Sequence, residues 1–94
     1  MPRPCKRRRI CEMPKHCSFA PVGEKVQDRP VIRLAIDEYE TIRLIDLENL
    51  NQEECAGRMG VARTTVQAIY NSARKKLAQC LVEGKELRVD GGDY

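Results

Sequence analysis

Long apolar runs are absent from this 94-residue sequence, in which no apolar stretch exceeds three residues, as in LAI and CLV. A membrane-spanning helix needs about 20 consecutive apolar residues, and a signal peptide needs an apolar core of about 7 to 15. The sequence therefore predicts neither element. We expect one small domain in the cytoplasm, which is a reducing compartment.

Aromatic residues and catalytic groups are also scarce. Aromatic side chains make up 4% of the chain, which argues against single-stranded nucleic acid held by base stacking and against an RNA-binding platform. There is one histidine, no phosphate-binding loop, and no paired nucleophile and base. We therefore expect that this protein is not an enzyme.

Charge is distributed unevenly along the chain. Residues 1–36 carry nine Lys/Arg and three Asp/Glu, residues 37–60 carry two and seven, and residues 61–94 carry six and four. The three net charges are therefore +6, −5 and +2. A basic start, an acidic middle and a mildly basic end suggest a polyanionic partner that both ends contact.

The prolines mark a division of the chain. All five lie within residues 1–30, which show neither helical nor strand periodicity. We interpret residues 1–30 as an irregular basic arm rich in Cys and Pro, followed by a domain at residues 31–94. Short strands are predicted at 31–36 and 86–89, and they could pair within one chain or between two chains of a dimer.

Three helices are predicted between these strands. Asp37 is the expected N-cap of the first, and Asn51 is the expected N-cap of a second that ends at Gly60. The third is expected to span residues 63–83. The fold class is therefore mostly α: a helix-turn-helix with three helices, two short flanking β-strands and an irregular N-terminal arm.

The stretch QEECAGRMGVARTTVQAIYN, residues 52–71, has the pattern of a helix-turn-helix. Ala56 is small at its fifth position, Gly60 occupies its ninth, and its fourth, eighth, tenth, fifteenth and eighteenth positions are apolar. All seven positions match a tight turn that lets the second helix enter a major groove. A plain helical hairpin is the alternative.

The apolar stripe expected on the third helix comprises Val66, Ile69, Tyr70, Ala73, Leu77, Cys80 and Leu81.

The opposite face of the third helix carries residues that we predict to bind DNA. Asp and Glu are absent from residues 61–82, which disfavours the alternative of an ordinary solvated face. Arg can grip guanine and Gln or Asn can grip adenine through two hydrogen bonds each, and Thr can contact phosphate or a thymine methyl group. Base contacts are predicted for Arg63, Thr64, Thr65, Gln67 and Asn71, and phosphate contacts for Arg74 and Lys75.

The arm offers two further kinds of contact. Its basic run can lie along phosphates or enter a minor groove, and we predict DNA contacts for Arg7, Arg8 and Arg9 rather than a merely solvated run. Three thiols and an imidazole within thirteen residues form one possible zinc set, although no C-x-x-C pair is present. An iron–sulfur cluster and incidental cysteines in a flexible arm are the alternatives. The candidate metal ligands are Cys5, Cys11, His16 and Cys17.

Several motifs carry a family resemblance: MPRP followed by CKRRRIC, then FAPVG, DEYETIRLIDLENLNQEECAGRMGVARTTVQ, SARKKLAQCLVEGKEL and GGDY. With these motifs in this order, the chain resembles a small prokaryotic family of uncharacterised, predicted DNA-binding proteins, uncharacterised protein family 0251. The helix-turn-helix of that family is similar to sigma-factor region four. The resemblance implies a DNA-binding or regulatory role. Members often occur beside, or fused to, proteins resembling dinitrogenase iron–molybdenum cofactor carriers.

Two residues depart from the family pattern. Ala62 stands where members usually have a Ser that caps the recognition helix, and losing that cap should cost about 1 kcal/mol unless Thr64 or the fold compensates. Cys55 replaces the usual alanine, which a small buried position tolerates.

We therefore expect a small transcription regulator that binds double-stranded DNA sequence-specifically, with residues 63–83 as its recognition helix. A homodimer is expected, because one short recognition helix rarely supplies enough affinity. Two alternatives stay open. One is a metal- or redox-sensing regulator that uses the N-terminal Cys/His cluster. The other is an adaptor whose acidic first helix docks on RNA polymerase or on a protein like the cofactor carriers.

Overall fold

The computed structural model describes residues 9–10, 13–23 and 30–91. Within these ranges the chain is mostly α-helical, as the sequence predicts, and a small sheet of three strands flanks the helices. The elements in chain order are β1 (Ser18–Phe19), β2 (Val31–Leu34), α1 (Ile36–Thr41), a π-helical segment (Ile42–Leu47), α2 (Gln52–Met59), α3 (Arg63–Glu83) and β3 (Glu86–Val89).

The sheet has the strand order β1-β3-β2. Strands β2 and β3 run parallel within one chain, with Val31 opposite Glu86 and Leu34 opposite Val89, and the helices between them form the crossover that parallel strands need. The first predicted strand is two residues shorter than expected. Strand β1 pairs antiparallel with β3 and was not predicted, because two residues are too few for a periodic signal.

Two hydrophobic clusters form the core, and α3 contributes to both. Ala73 belongs to the cluster beneath the sheet, whereas Val66 belongs to the cluster between α2 and the π-helical segment. The first cluster contains Leu34, Ile36, Ala73, Leu87 and Val89. The second contains Leu44, Cys55, Ala56, Met59 and Val66.

The start of α1 differs from the sequence prediction that Asp37 is its N-cap. The helix begins at Ile36, and Ala35 occupies the N-cap position in an extended conformation. Alanine has no side-chain acceptor, but Glu38 lies three residues later and its Oε1 accepts a hydrogen bond from the Ala35 N–H at 2.8 Å. The carboxylate of Glu38 therefore anchors the helix start, and Asp37 is buried within the first turn.

The first predicted helix changes its geometry halfway. From Ile42 to Leu47 it widens into a π-helix, and the Glu48 N–H donates to the Arg43 carbonyl five residues earlier at 3.0 Å. The segment ends at Leu47, and Asn49 two residues later has a left-handed φ of 63°. Nothing in the apolar spacing indicates this change, which leaves Leu47 exposed.

One expected core residue of α3 lies on the surface. Leu81 was assigned to the buried stripe, but its side chain is 86% exposed. It follows Gln67 by fourteen residues, which places the two within about 40° of each other around the helix, on the outer side. The clusters cover the end of α3 only partly, at Leu77 and Cys80. Gly84, with a φ of 66°, ends the helix as predicted.

Glu38 also connects α1 to the middle of α3. Its carboxylate accepts hydrogen bonds from Ser72 Oγ at 2.5 Å and from Lys76 Nζ at 2.7 Å, which lie one turn apart on α3. Burial by itself would raise the pKa of Glu38, but these bonds, the Ala35 N–H and the charge of Lys76 outweigh burial and leave the pKa lowered.

The lowered pKa of Glu38 predicts acid sensitivity. A depressed carboxyl pKa adds stability above the unfolded-state value of about 4.3, and this stability is lost as the pH falls through the folded-state pKa. We expect Glu38→Gln to lower the free energy of unfolding by about 1 to 3 kcal/mol at neutral pH and to lose less on further acidification than the wild type. Urea unfolding across the acid range measures both effects.

A matched control for this prediction is Glu53→Gln, which replaces an exposed carboxylate of α2. The control is expected to keep the wild-type dependence of stability on pH. Equal acid sensitivity in Glu38→Gln and the wild type would show that the Glu38 contacts do not contribute to it.

Candidate nucleic-acid interface

A three-residue turn joins α2 to α3. Gly60 ends α2 in the left-handed conformation, with φ 69° and ψ 35°, and its N–H donates to the Ala56 carbonyl. The Val61 N–H donates to the same carbonyl at 3.1 Å. Position 60 favours glycine because a residue with a Cβ is strained at this φ. An added Cβ would also stand 3.0 Å from Arg9 Nε, and the arginine side chain would have to shift slightly.

The two helices approach closely on either side of this turn. Ala56 is buried where they cross, and Cys55, Met59 and Val66 are fully buried around it, as the sequence predicts. Val61 packs against this cluster from the turn. The prediction that Asn51 is the N-cap of α2 is also confirmed. Asn51 Oδ1 accepts from the Glu54 N–H at 2.8 Å, and Glu54 Oε1 accepts from the Asn51 N–H at 2.9 Å.

Two glycines of this region are expected to respond oppositely to alanine. Gly60→Ala should lower the free energy of unfolding by about 1 kcal/mol or more, because alanine is strained at a positive φ. Gly57→Ala should raise it by about 0.5 to 1 kcal/mol, because Gly57 lies inside α2 and an added Cβ meets nothing within 4 Å. Chemical denaturation of both variants measures the contrast. Destabilisation of equal size in both would contradict the assigned turn.

The outer face of α3 brings together most of the residues predicted to contact bases. Arg63, Thr64, Gln67 and Asn71 are exposed in its first three turns, and Arg63 Nη1 lies 3.4 Å from Gln52 Oε1 of α2. Thr65 is half-buried and lies about 160° from Gln67 around the helix, so the structure does not place it on this face. Lys75 is exposed further along the same side of the helix.

Arg74 belongs to a cluster that sequence reasoning missed. Its Nη1 donates to the Tyr70 hydroxyl at 3.1 Å, and that hydroxyl donates to Asp46 Oδ1 of the π-helical segment at 2.7 Å. The Arg74 guanidinium also lies 5.4 Å from the centre of the Tyr70 ring. The hydrogen bond to Asp46, burial and the Asp46 charge together raise the pKa of Tyr70. Asp46 therefore partly neutralises the positive charge of Arg74.

Arg9 lies at the end of α2. Its backbone N–H donates to the Met59 carbonyl at 3.0 Å, and its Nη2 donates to the Gly57 carbonyl at 3.1 Å. Carbonyls in the last turn of a helix have no hydrogen-bond donor within the helix and carry partial negative charge. A guanidinium group can donate hydrogen bonds to them and is attracted by that charge. The contact spans 48 residues, so no local pattern could have indicated it. Arg7 and Arg8 lie outside the described residues.

The first turn of α3 has no side-chain cap. Ala62 holds the N-cap position with φ −71° and ψ 153°, and its methyl side chain makes no capping hydrogen bond. The position at which the family usually has Ser is therefore the N-cap of α3, as the sequence predicts. The helix starts because the Val66 N–H bonds to the Ala62 carbonyl at 3.1 Å while the Val66 side chain is buried.

Restoring the cap should stabilise the protein. We expect Ala62→Ser to raise the free energy of unfolding by about 1 kcal/mol, because the serine hydroxyl can accept from an N–H of the first turn. Ala68→Ser is the matched control, since the same exchange at an exposed position inside α3 offers no cap and should be neutral or slightly destabilising. Thermal unfolding by circular dichroism compares the two. A gain in Ala68→Ser equal to that in Ala62→Ser would rule out capping as the cause.

The predicted metal ligands are described only in part. His16 and Cys17 are exposed just before β1, while Cys5 and Cys11 lie outside the described residues. In the described ranges, no group of three or more His, Cys, Asp or Glu side chains stands close enough to hold a metal ion. The backbone of Cys17 has a structural role, because its carbonyl accepts from the Val89 N–H at 2.8 Å.

The remaining cysteines lie where the helical pattern predicts. Cys55 is fully buried, and its Sγ lies 3.7 Å from Met59 Sδ. Cys80 is half-buried against the sheet cluster, and burial raises the pKa of its thiol. Among the helices of the described residues, none combines the length and the apolar character needed to cross a membrane.

These features define a mostly α protein in which a long helix, held by a tight glycine turn, presents an acid-free outer face. The model of a family described as "Protein of unknown function DUF134" matches residues 1–94. The chain belongs to this family.

Relatives align along the whole chain. A UPF0251 protein of Desulfitobacterium hafniense strain Y51 is 55% identical over 94 residues, which cover 100% of this chain and 75% of the relative. A UPF0251 protein of Halothermothrix orenii is 49% identical and is covered over 70% of its length. One of Thermoanaerobacter sp. strain X514 is 49% identical and is covered over 83%. No solved structure matches the chain.

Proposed function

We propose that this protein binds double-stranded DNA as a small transcription regulator in the cytoplasm, with α2, the turn and α3 acting as a helix-turn-helix. The observation that carries the proposal is the outer face of α3. Arg63, Gln67 and Asn71 are exposed together on it, and no Asp or Glu occurs from residue 61 to residue 82. An α-helix fits the major groove, where these three residue types can recognise base edges through paired hydrogen bonds.

Phosphate contacts would flank this face. Lys75 is exposed beyond Asn71, and its ammonium group would approach a phosphate as a point charge. Arg74 would exchange its weak contact with Asp46, at 3.9 Å, for a phosphate oxygen. Arg9 lies beside Gly60, close to the start of α3, so the arm would follow the backbone on the other side of the groove.

The adaptor alternative has less support than DNA binding. It requires an acidic surface on the first predicted helix, but Asp37, Glu38 and Glu40 of its α1 half are buried, and only Asp46 and Glu48 further along are exposed. Glu38 is engaged by Lys76, and Glu40 Oε1 accepts from Arg43 Nε at 3.0 Å. Most of the negative charge that the sequence concentrates in α1 is therefore neutralised inside the fold rather than offered to RNA polymerase or a carrier-like protein.

Selection from a genomic DNA pool tests the proposal. We expect the wild type to enrich a discrete sequence. Gln67→Ala with Asn71→Ala should weaken binding to that sequence by about 30-fold or more, since each of the two paired contacts contributes about 1 to 3 kcal/mol. Non-specific binding should persist in the double variant. Lys75→Ala should weaken binding to all DNA sequences alike. It should also reduce the slope of log affinity against log salt concentration by about 1.

Gln79→Ala is the control, because it removes the same type of side chain from the same helix about two turns beyond Asn71, the last expected base contact. It should leave the enriched sequence and its affinity unchanged. No binding by the wild type at low salt would overturn the proposal. A salt-dependent affinity without any preferred sequence would reduce it to non-specific electrostatic binding.

A further inference from the structure

Three polar side chains form a series of hydrogen bonds beside the outer face of α3. The Tyr70 hydroxyl donates to Asp46 Oδ1 at 2.7 Å, and Arg74 Nη1 donates to the Tyr70 oxygen at 3.1 Å. A phenol hydroxyl has a single proton to donate. Because Asp46 accepts that proton, the lone pairs of the hydroxyl oxygen are left for Arg74. An acceptor in the π-helical segment therefore fixes the direction of the contact between Tyr70 and Arg74.

The guanidinium group of Arg74 is held in two ways. Besides the hydrogen bond, the centre of the Tyr70 ring lies 5.4 Å from Arg74 Cζ, within the range of a cation–π contact. Tyr70 precedes Arg74 by one helical turn, and helical side chains lean towards the N-terminus of their helix, so the two side chains meet. A side chain that is already ordered loses less conformational entropy when it binds a partner. Tyr70 thereby reduces the entropic cost of any contact that Arg74 makes with a ligand.

These contacts leave part of the guanidinium group available to a ligand. The Arg74 side chain is 62% exposed, and its Nε lies 3.9 Å from Asp46 Oδ2, which is too far for a hydrogen bond. Within residues 9–10, 13–23 and 30–91, no group accepts a hydrogen bond from Arg74 Nη2. A guanidinium group can donate two parallel hydrogen bonds to one phosphate. Arg74 can therefore bind a phosphate through Nε and Nη2 while its Nη1 remains bonded to Tyr70.

The position of Arg74 suits a phosphate at the rim of the outer face. Arg74 follows Gln67 by seven residues, which places the two within about 20° of each other around α3. Tyr70 lies about 60° from Gln67 on that same side, whereas Lys75 lies about 80° from Gln67 on the opposite side. Tyr70 therefore holds the guanidinium group at one rim, and Lys75 occupies the other. A phosphate backbone borders each edge of a major groove, so the two cations would meet different strands.

We infer that Tyr70 is a positioning residue that holds the Arg74 guanidinium group ready for a DNA phosphate, and that Asp46 orients the Tyr70 hydroxyl for this role. The inference rests on the proposed function and deepens it by naming two residues that act on DNA binding through Arg74. The sequence pattern places Tyr70 in the apolar stripe of α3, and its hydroxyl adds this second role to packing.

A double-mutant cycle tests the inference. Fluorescence anisotropy with the DNA sequence that the wild type enriches compares the wild type, Tyr70→Phe, Arg74→Ala and the double variant. Tyr70→Phe keeps the ring and the net charge and removes only the hydroxyl. It should weaken binding about 3- to 10-fold, because Arg74 is then less well ordered. In the Arg74→Ala background the same exchange should change affinity by less than about two-fold, because the residue through which Tyr70 acts is absent.

Tyr39→Phe is the matched control. Tyr39 is half-buried in α1, and its hydroxyl has no hydrogen-bond partner among the residues that the structure describes. Removing this hydroxyl should leave the DNA affinity unchanged. All variants should keep the circular dichroism of the wild type.

Equal affinity of Tyr70→Phe and the wild type would overturn the inference, even if the variant unfolds at a lower temperature. An equal loss of affinity with and without Arg74 would overturn it too, because the hydroxyl would then act independently of the arginine. So would a loss in Tyr39→Phe as large as that in Tyr70→Phe. A wild type that binds no DNA would refute the proposed function and the inference with it, whereas a DNA-binding wild type matched by Tyr70→Phe would refute the inference alone.

Discussion

Burial of one face of α3 against two hydrophobic clusters is the constraint on which the rest of the structure depends. Val66 fixes the first half of the helix against α2, and Ala73, two turns later, fixes its middle beneath the sheet. Glu38 adds a directional contact, because Ser72 and Lys76 both donate to its carboxylate. One helix thereby sets the position of α2, the sheet and the acidic start of α1, and its opposite face is exposed.

The same arrangement changes the meaning of the charge distribution. The stretch 37–60 carries a net charge of −5, but three of its carboxylates are buried in α1, where Lys76 neutralises one and Arg43 another. The acid-free outer face of α3 keeps its exposed basic and amide side chains. Buried and paired charges contribute little to the electric field at the surface. Burying the carboxylates of α1 therefore makes the surface there less negative, and the outer face of α3 keeps the basic groups that a polyanion would encounter.

The α2–turn–α3 unit is tied to other parts of the chain at two places, the last turn of α2 and the first half of α3. Arg9 satisfies carbonyls at the end of α2, and Asp46 holds the Tyr70 hydroxyl that Arg74 also contacts. These contacts orient the unit, and DNA phosphates would compete for the two guanidinium groups. The uncapped N-terminus of α3 at Ala62 is a local weakness that packing of Val66 compensates.

The sequence by itself determined the features that depend on neighbouring residues. The capping pair Asn51 and Glu54, the stop signals Gly60 and Gly84, and the spacing of buried residues in α2 were predictable because such signals act within a turn. Contacts between distant residues were decided only by the tertiary structure. They include the contacts of Glu38 with Ser72 and Lys76, the short strand β1 and the contact of Arg9 with α2. Each depends on a partner many residues away, or on a cluster that exists only after the chain has folded.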